Sequence, residues 1–248
     1  MSINRPKRYA IVRSYHQQTK HHSHRYARSP EYLDWDNQPL PYRLFEGAPR
    51  IQLPLAEKDR DLAYSALYEA IEDSPDSISI KSISNMLELS MGLSAWKKYG
   101  ASEWALRMNP SSGNLHPTEC YLVLPDLARQ KACVTHYNPY FHALEVRALL
   151  DQSQALWLES CGGFGIILTS IPWREAWKYG ERAFRYCQHD LGHALGALRF
   201  ACNLNGWKMS LIPKISAKRL ERFLGFDQLH WADGEAEHVE FLCWVEGK

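Results

Sequence analysis

Apolar residues along this chain recur at two spacings, and the changes of spacing mark its elements. Over 59–71, Leu62, Ala63, Ala66, Leu67, Ala70 and Ile71 fall on one helical face, and Asp73-Ser74-Pro75-Asp76 supplies the stop. A second helix is predicted over 83–93, with Ile83, Met86, Leu87 and Leu93 apolar and Ser82 or Ser84 as its cap. Strand-like runs occupy 119–124, 132–137 and 142–146, with an Asn138-Pro139 turn between the last two. A short helix over 151–160 is stopped by Gly162-Gly163, and 165–170 reads as a buried strand. The longest helical pattern, 173–205, predicts two helices meeting near Gln188. In its second half Leu191, Ala194, Leu195, Leu198, Ala201 and Cys202 form a core face, and Gly206 caps the end. Ser216 caps a short helix ending at Gly225, and 238–245 alternates as a last strand. Helices mixed with a few separated strands predict an α+β fold.

The first 56 residues lack such periodicity. Prolines at 39, 41, 49 and 54 predict an extended arm over 1–56, wrapped on something else, with a single domain over 57–248.

Composition narrows the classes. The chain has 248 residues, 45% of them apolar, so a sizeable core can form. A net charge of +1 gives no broad attraction to nucleic acid or to anionic membranes. No apolar run reaches the roughly 18 residues of a membrane span, and the basic N-terminus lacks the apolar stretch of a signal peptide. Six scattered cysteines without a C-x-x-C pair predict reduced, mostly buried thiols and a cytoplasmic protein.

Four segments hold candidate chemistry. The stretch 107–119, from Arg107 through Asn109-Pro110-Ser111-Ser112-Gly113-Asn114-Leu115-His116 to Glu119, is dense in hydrogen-bond donors. Gly113 permits close backbone approach, and Arg107 adds a fixed positive charge. As bare composition it is a turn, the commonest use of such residues. No G-x-G-x-x-G, P-loop or G-x-S-x-G pattern occurs, which disfavours Rossmann, P-loop and serine-hydrolase chemistry. His21-His22-Ser23-His24-Arg25 can meet an anion through Arg25 and Ser23, or lie as a solvated basic arm. Arg174, Lys178, Arg182 and Arg185 share a helical face beside Trp177 and Tyr179. His189 and His193 stand at i and i+4, the spacing of a zinc helix and the basis of a metal-dependent hydrolase reading. Asp replaces the usual Glu between them, no third ligand is evident, and metal is not assigned.

Together these segments resemble the nitroreductase family of flavoproteins, and most closely its SagB-type branch, the azoline-oxidising dehydrogenases of thiazole/oxazole peptide biosynthesis. Arg107 with Pro110-Ser111-Ser112-Gly113-Asn114-Leu115-His116-Pro117 is similar to the family's R-x-x-P-S-[SA]-G loop. Lys178-Tyr179-Gly180-Glu181-Arg182-Ala183-Phe184-Arg185 is similar to K-Y-G-x-R-A-Y-R, and Asp190-Leu191-Gly192-His193 to the D-x-G-H helix. The basic segment at 21–26 is a looser match, with His21-His22 where relatives carry arginines. The resemblance implies a central, mostly antiparallel sheet flanked by helices, in an intertwined homodimer with FMN at the subunit interface. It implies hydride transfer between flavin and a small-molecule or peptide substrate. By the same resemblance Lys178 and Tyr179 are catalytic. His21, His22, Ser23, Arg25, Arg107, Pro110, Ser111, Ser112, Gly113, Asn114, His116 and Arg182 would hold the cofactor. A flavin-binding scaffold without turnover is the alternative.

Overall fold

The computed structural model describes residues 5–58, 62–68, 75–128, 130–232 and 234–247. Its centre is β4 (Thr118–Leu124) and β7 (Gly163–Ser170), antiparallel neighbours in which every residue is buried. Outward from β4 lie β5 (Cys133–Asn138), β6 (Ala143–Leu149) and β1 (Arg50–Gln52). On the other side of β7 lie β9 (His238–Glu246) and β8 (Lys208–Leu211), giving a seven-stranded sheet in the order β1-β6-β5-β4-β7-β9-β8. Every pairing in it is antiparallel.

Alternation along β4 divides its side chains between two cores. Cys120, Leu122 and Leu124 point to the face covered by α2 (Ile80–Ser90) and α5 (Ala183–Leu204), where Ile83, Met86, Leu87, Leu191, Ala194, Leu198 and Cys202 pack. Tyr121 and Val123 point to the face covered by α3 (Gln152–Ser160) and α6 (Ala217–Phe223), against Leu158, Leu220, Leu224 and Phe226. Each large side chain buried this way stabilises the fold by about 1.5–3 kcal/mol. The α+β expectation holds, and so do the core face of α5 and the central strands. Among the described residues no helix is long and apolar enough to cross a membrane.

Several details differ from the sequence reading. The segment 1–56 is not wholly extended, because α1 (Arg5–Thr19) is helical. Its end is held by tertiary contacts rather than by an apolar stripe. The Tyr15 hydroxyl donates to the Glu181 carbonyl at 2.9 Å, and Arg182 donates to the Thr19 carbonyl at 2.9 Å. Residues 59–61 and 69–74 of the first predicted helix and its stop lie outside the described residues; Tyr64–Tyr68 form a 3-10 turn. The cap of α2 is Ser79, which forms a reciprocal capping box with Ser82. Ser84 instead donates to the Pro54 carbonyl at 2.5 Å. Leu93 opens an unpredicted hairpin, β2 (Leu93–Tyr99) and β3 (Ser102–Arg107), turning through Gly100 at φ +57°. The break in 173–205 falls at Gly180 rather than near Gln188. There α4 (Pro172–Tyr179) ends, and Gly180 takes φ 51°, ψ −123° with Pro30 packed above it.

Candidate functional site

The loop between β3 and β4 has a tight backbone. Ser112–Asn114 form a 3-10 turn, and Gly113, Asn114 and His116 all take positive φ, at 64°, 60° and 50°. For a non-glycine residue this costs energy and is held only by surrounding bonds. Those bonds are present. The Asn114 amide donates to the Ala105 carbonyl at 2.9 Å, and the His116 N–H donates to Ser111 Oγ at 2.8 Å. Because the Asn114 carbonyl faces His116 Nε2 at 2.9 Å, that nitrogen carries the ring proton. Burial, with Arg107 and Arg174 nearby, pushes His116 down to about 2, so it stays neutral. Arg107 is buried and donates to the Pro41 carbonyl, tying the loop to the proline-rich arm.

Asp190 on α5 anchors the loop from below. It accepts the Ser111 hydroxyl at 2.7 Å, the Ser112 hydroxyl at 3.0 Å and the Ser112 N–H at 3.0 and 3.1 Å. The serine hydroxyl protons are therefore committed inside the fold. Ser111 and Ser112 act as anchors of the loop, and Gly113 is left as its exposed tip.

Lys178 and Tyr179 meet that tip. A methyl group built on Gly113 would fall 2.8 Å from Tyr179 Oη and 3.1 Å from Lys178 Nζ. Consecutive residues on a helix point about 100° apart, yet both arrive here because Tyr179 is the last residue of α4 and the chain breaks at Gly180. Burial and the nearby Glu175 carboxyl raise the Tyr179 phenol. The arrangement gathers an ammonium, a phenol and an open backbone tip on one half-buried surface, a donor set that suits a planar anionic ligand.

Arg174, one turn before Lys178, fixes α4 in place. It is fully buried and donates through Nη1 to the His116 carbonyl at 2.5 Å and to Glu119 Oε1 at 2.6 Å. Glu119 continues into a buried chain across the sheet. Its Oε2 lies 3.0 Å from His136 Nε2, and His136 Nδ1 lies 3.0 Å from Glu145 Oε2. Burial alone would raise Glu119, but Arg174 and His136 outweigh it and hold the carboxyl well below its usual range. Burial alone would lower His136, but its bonds to the two glutamates raise it. The sequence reading named Arg174 only as part of a charged helical face and Glu119 only as the end of the loop, and did not single out His136 or Glu145. For Glu119, His136 and Glu145 the available signal was charge inside otherwise apolar strands, which folds only when paired.

The basic segment is built differently. His22 and Arg25 close a small turn through mutual backbone bonds of 2.8 and 3.2 Å, and the Ala27 N–H donates to His21 Nδ1 at 3.1 Å. His21, Ser23 and Arg25 are exposed, and His22 is half-buried. Arg25 reaches the Gln17 carbonyl at 3.3 Å. Nearby, Arg182 is buried and committed to the Thr19 carbonyl and the Tyr186 hydroxyl, so it serves as an internal tie between α1 and α5. The segment thus sits at the end of α1, and α1 leans on the junction between α4 and α5. His189 and His193 are exposed on α5, while Asp190 between them turns inward to the serines. Pro110 is exposed at the loop's entry.

A separate apolar cavity of about 660 Å³ lies on the opposite face of the sheet, lined by Trp157, Ile167, Leu220, Phe223 and Trp244 among others. Its lining includes none of the candidate site residues.

No protein-family model matches the chain. Over 141 residues it is 31% identical to the trifolitoxin-processing protein TfxB of Rhizobium leguminosarum bv. trifolii, covering 52% of this chain and 38% of that protein. Among solved structures it is similar to a protein classed as a nitroreductase from Anabaena variabilis, with TM-score 0.71 and 24% identity over 96% of this chain and 46% of that one. A similarly classed Ralstonia eutropha protein gives TM-score 0.58 and 15% identity over 84% of this chain and 98% of that one. The Escherichia coli microcin synthetase McbBCD, solved as a complex with truncated pro-MccB17, gives TM-score 0.54 and 17% identity over 98% of this chain and 94% of that one. The chain therefore has the nitroreductase fold. It spans less than half the length of the TfxB and Anabaena proteins.

Proposed function

We propose that this nitroreductase-fold chain is an FMN-dependent oxidoreductase acting on a small molecule or a peptide, as a homodimer. The observation that carries the reading is the convergence of Lys178 Nζ and Tyr179 Oη on Gly113. A flavin bound there would supply a hydride acceptor or donor. This chain's own residues would do the rest. The Lys178–Tyr179 pair is placed to hold or remove a proton on a substrate lying over the Gly113 tip. Ser23 and Arg25, exposed and chemically suited to phosphate, would meet the cofactor's anionic end, with His21 and His22 beside them. Asp190, the two serines and Arg174 keep the loop and helix end in register. A peptide substrate is supported by the trifolitoxin-processing name of TfxB and by the truncated pro-MccB17 bound to McbBCD.

The test is direct. The purified chain, incubated with FMN, is expected to gain flavin absorbance, and Lys178→Ala is expected to keep that absorbance while losing about 100-fold or more in substrate-dependent flavin reduction. A colourless protein overturns the cofactor assignment. A Lys178→Ala enzyme with wild-type turnover overturns the assignment of the pair, and a flavin-loaded protein whose flavin is never reduced favours a non-catalytic scaffold.

A further inference from the structure

Glu175 has no part in the chemistry above, yet it lies beneath it. It is fully buried, and neither carboxyl oxygen has a hydrogen-bond partner at ordinary geometry. On α4 it precedes Lys178 by three residues and Tyr179 by four, the spacings that share a helix face. From α5 it faces Asp190 and Cys187. From its own helix it faces the Lys178 ammonium and the Tyr179 phenol. Asp190 takes three donor groups from Ser111 and Ser112, the pattern of an ionised acceptor. Two carboxylates so close, and away from water, cannot both stay charged at low cost.

We propose that Glu175 is a positioning residue: held as the neutral acid beside ionised Asp190, it lets the end of α4, with Lys178 and Tyr179, close against the serine loop. The pair then carries one negative charge, which the serine donors and Lys178 offset. Ionisation of Glu175 releases its proton to solvent and leaves two facing carboxylates, which drives the end of α4 away from the loop. Burial, reinforced by Asp190, pushes Glu175 up to about 9, in keeping with that geometry. The positioning role rests on the reading of Lys178 and Tyr179 as the ligand-facing pair; the protonation state does not.

The full chain without flavin tests the protonation state. An acid with a raised folded value binds a proton in the folded state that the unfolded state has already released. Wild-type stability should therefore fall as pH rises from the ordinary value of 4.5 toward about 9, and level off above that. Relative to Glu175→Gln, the wild-type folding equilibrium should lose about tenfold per pH unit across that window. Glu175→Met should give the same change of slope, so either variant decides the matter if the other does not fold. Curves that run parallel to wild type overturn the proposal. Flavin retention at pH 7 and pH 10 then reads the positioning role. Glu175→Gln should hold flavin at both, whereas wild type releases it at pH 10; equal release by the two overturns that role. Should neither protein take up flavin at pH 7, the cofactor reading fails, while the slopes still decide the state of Glu175.

Discussion

The serine loop and the basic segment are both polar, both short, and both candidates for holding the same ligand, yet the fold treats them differently. In the loop four side chains are tied internally: Ser111 and Ser112 on Asp190, Asn114 on Ala105, Arg107 on Pro41. In the basic segment Ser23 and Arg25 are exposed, and the turn is closed mainly by its own backbone. A loop tied to the protein in this way is preorganised, with Gly113 as its tip beside Lys178 and Tyr179. A segment left open has donors to give away, as an anion-binding element requires. On the proposed reading, the donor-rich loop that stands out in the sequence is thus the frame of the site, and the ligand-facing groups are carried largely on α4 and on the turn after α1.

Three variants break or sharpen that contrast. The largest effect is expected at Arg174, where Arg174→Ala strips a buried charge partner from Glu119 and a donor from the His116 carbonyl. Chemical unfolding should show a loss of about 3–5 kcal/mol; a loss below about 1 kcal/mol would mean that the loop stands without its tie to α4. Next is Asp190→Ala, which leaves two hydroxyls and an N–H without their acceptor and should cost about 1–3 kcal/mol in the same experiment. The smallest stability effect belongs to the combined Ser23→Ala and Arg25→Ala variant, within about 0.5 kcal/mol of wild type. Its flavin affinity, measured by fluorescence titration, should nonetheless drop roughly tenfold or more, since bonds to charged groups contribute about 1.5–3 kcal/mol each. A variant that unfolds, or that binds flavin unchanged, would erase the distinction between frame and ligand-facing segment.

Much of the fold was legible from local pattern. The apolar faces of α2 and α5 and the runs that became β4, β5, β6, β7 and β9 announce themselves because burial repeats at the period of the element. The elements missed are those whose stability comes from elsewhere. Strands β1 and β8 are only 3 and 4 residues long, too short for a period, and form by pairing with β6 and β9. Helix α1 exposes Tyr9, Ile11 and Val12, so no apolar stripe foretells it, and its C-terminal carbonyls are met by Arg182 and Arg185. In the site, the Lys-Tyr, serine-loop and D-x-G-H segments were recognisable as separate motifs.

By itself the sequence determined the α+β class, the core faces, and the residue types present at the loop, at Lys178-Tyr179 and at Asp190, since these follow from spacing and motif along the chain. Only the tertiary structure decided that Asp190 consumes the serine donors, that Lys178 and Tyr179 converge on Gly113, and that Arg174, Glu119, His136 and Glu145 form one buried chain. Each of those is a contact between residues far apart in sequence. A donor's partner and a carboxyl's charge depend on what folding brings within hydrogen-bond reach and on how much water it removes, and neither is encoded in local spacing.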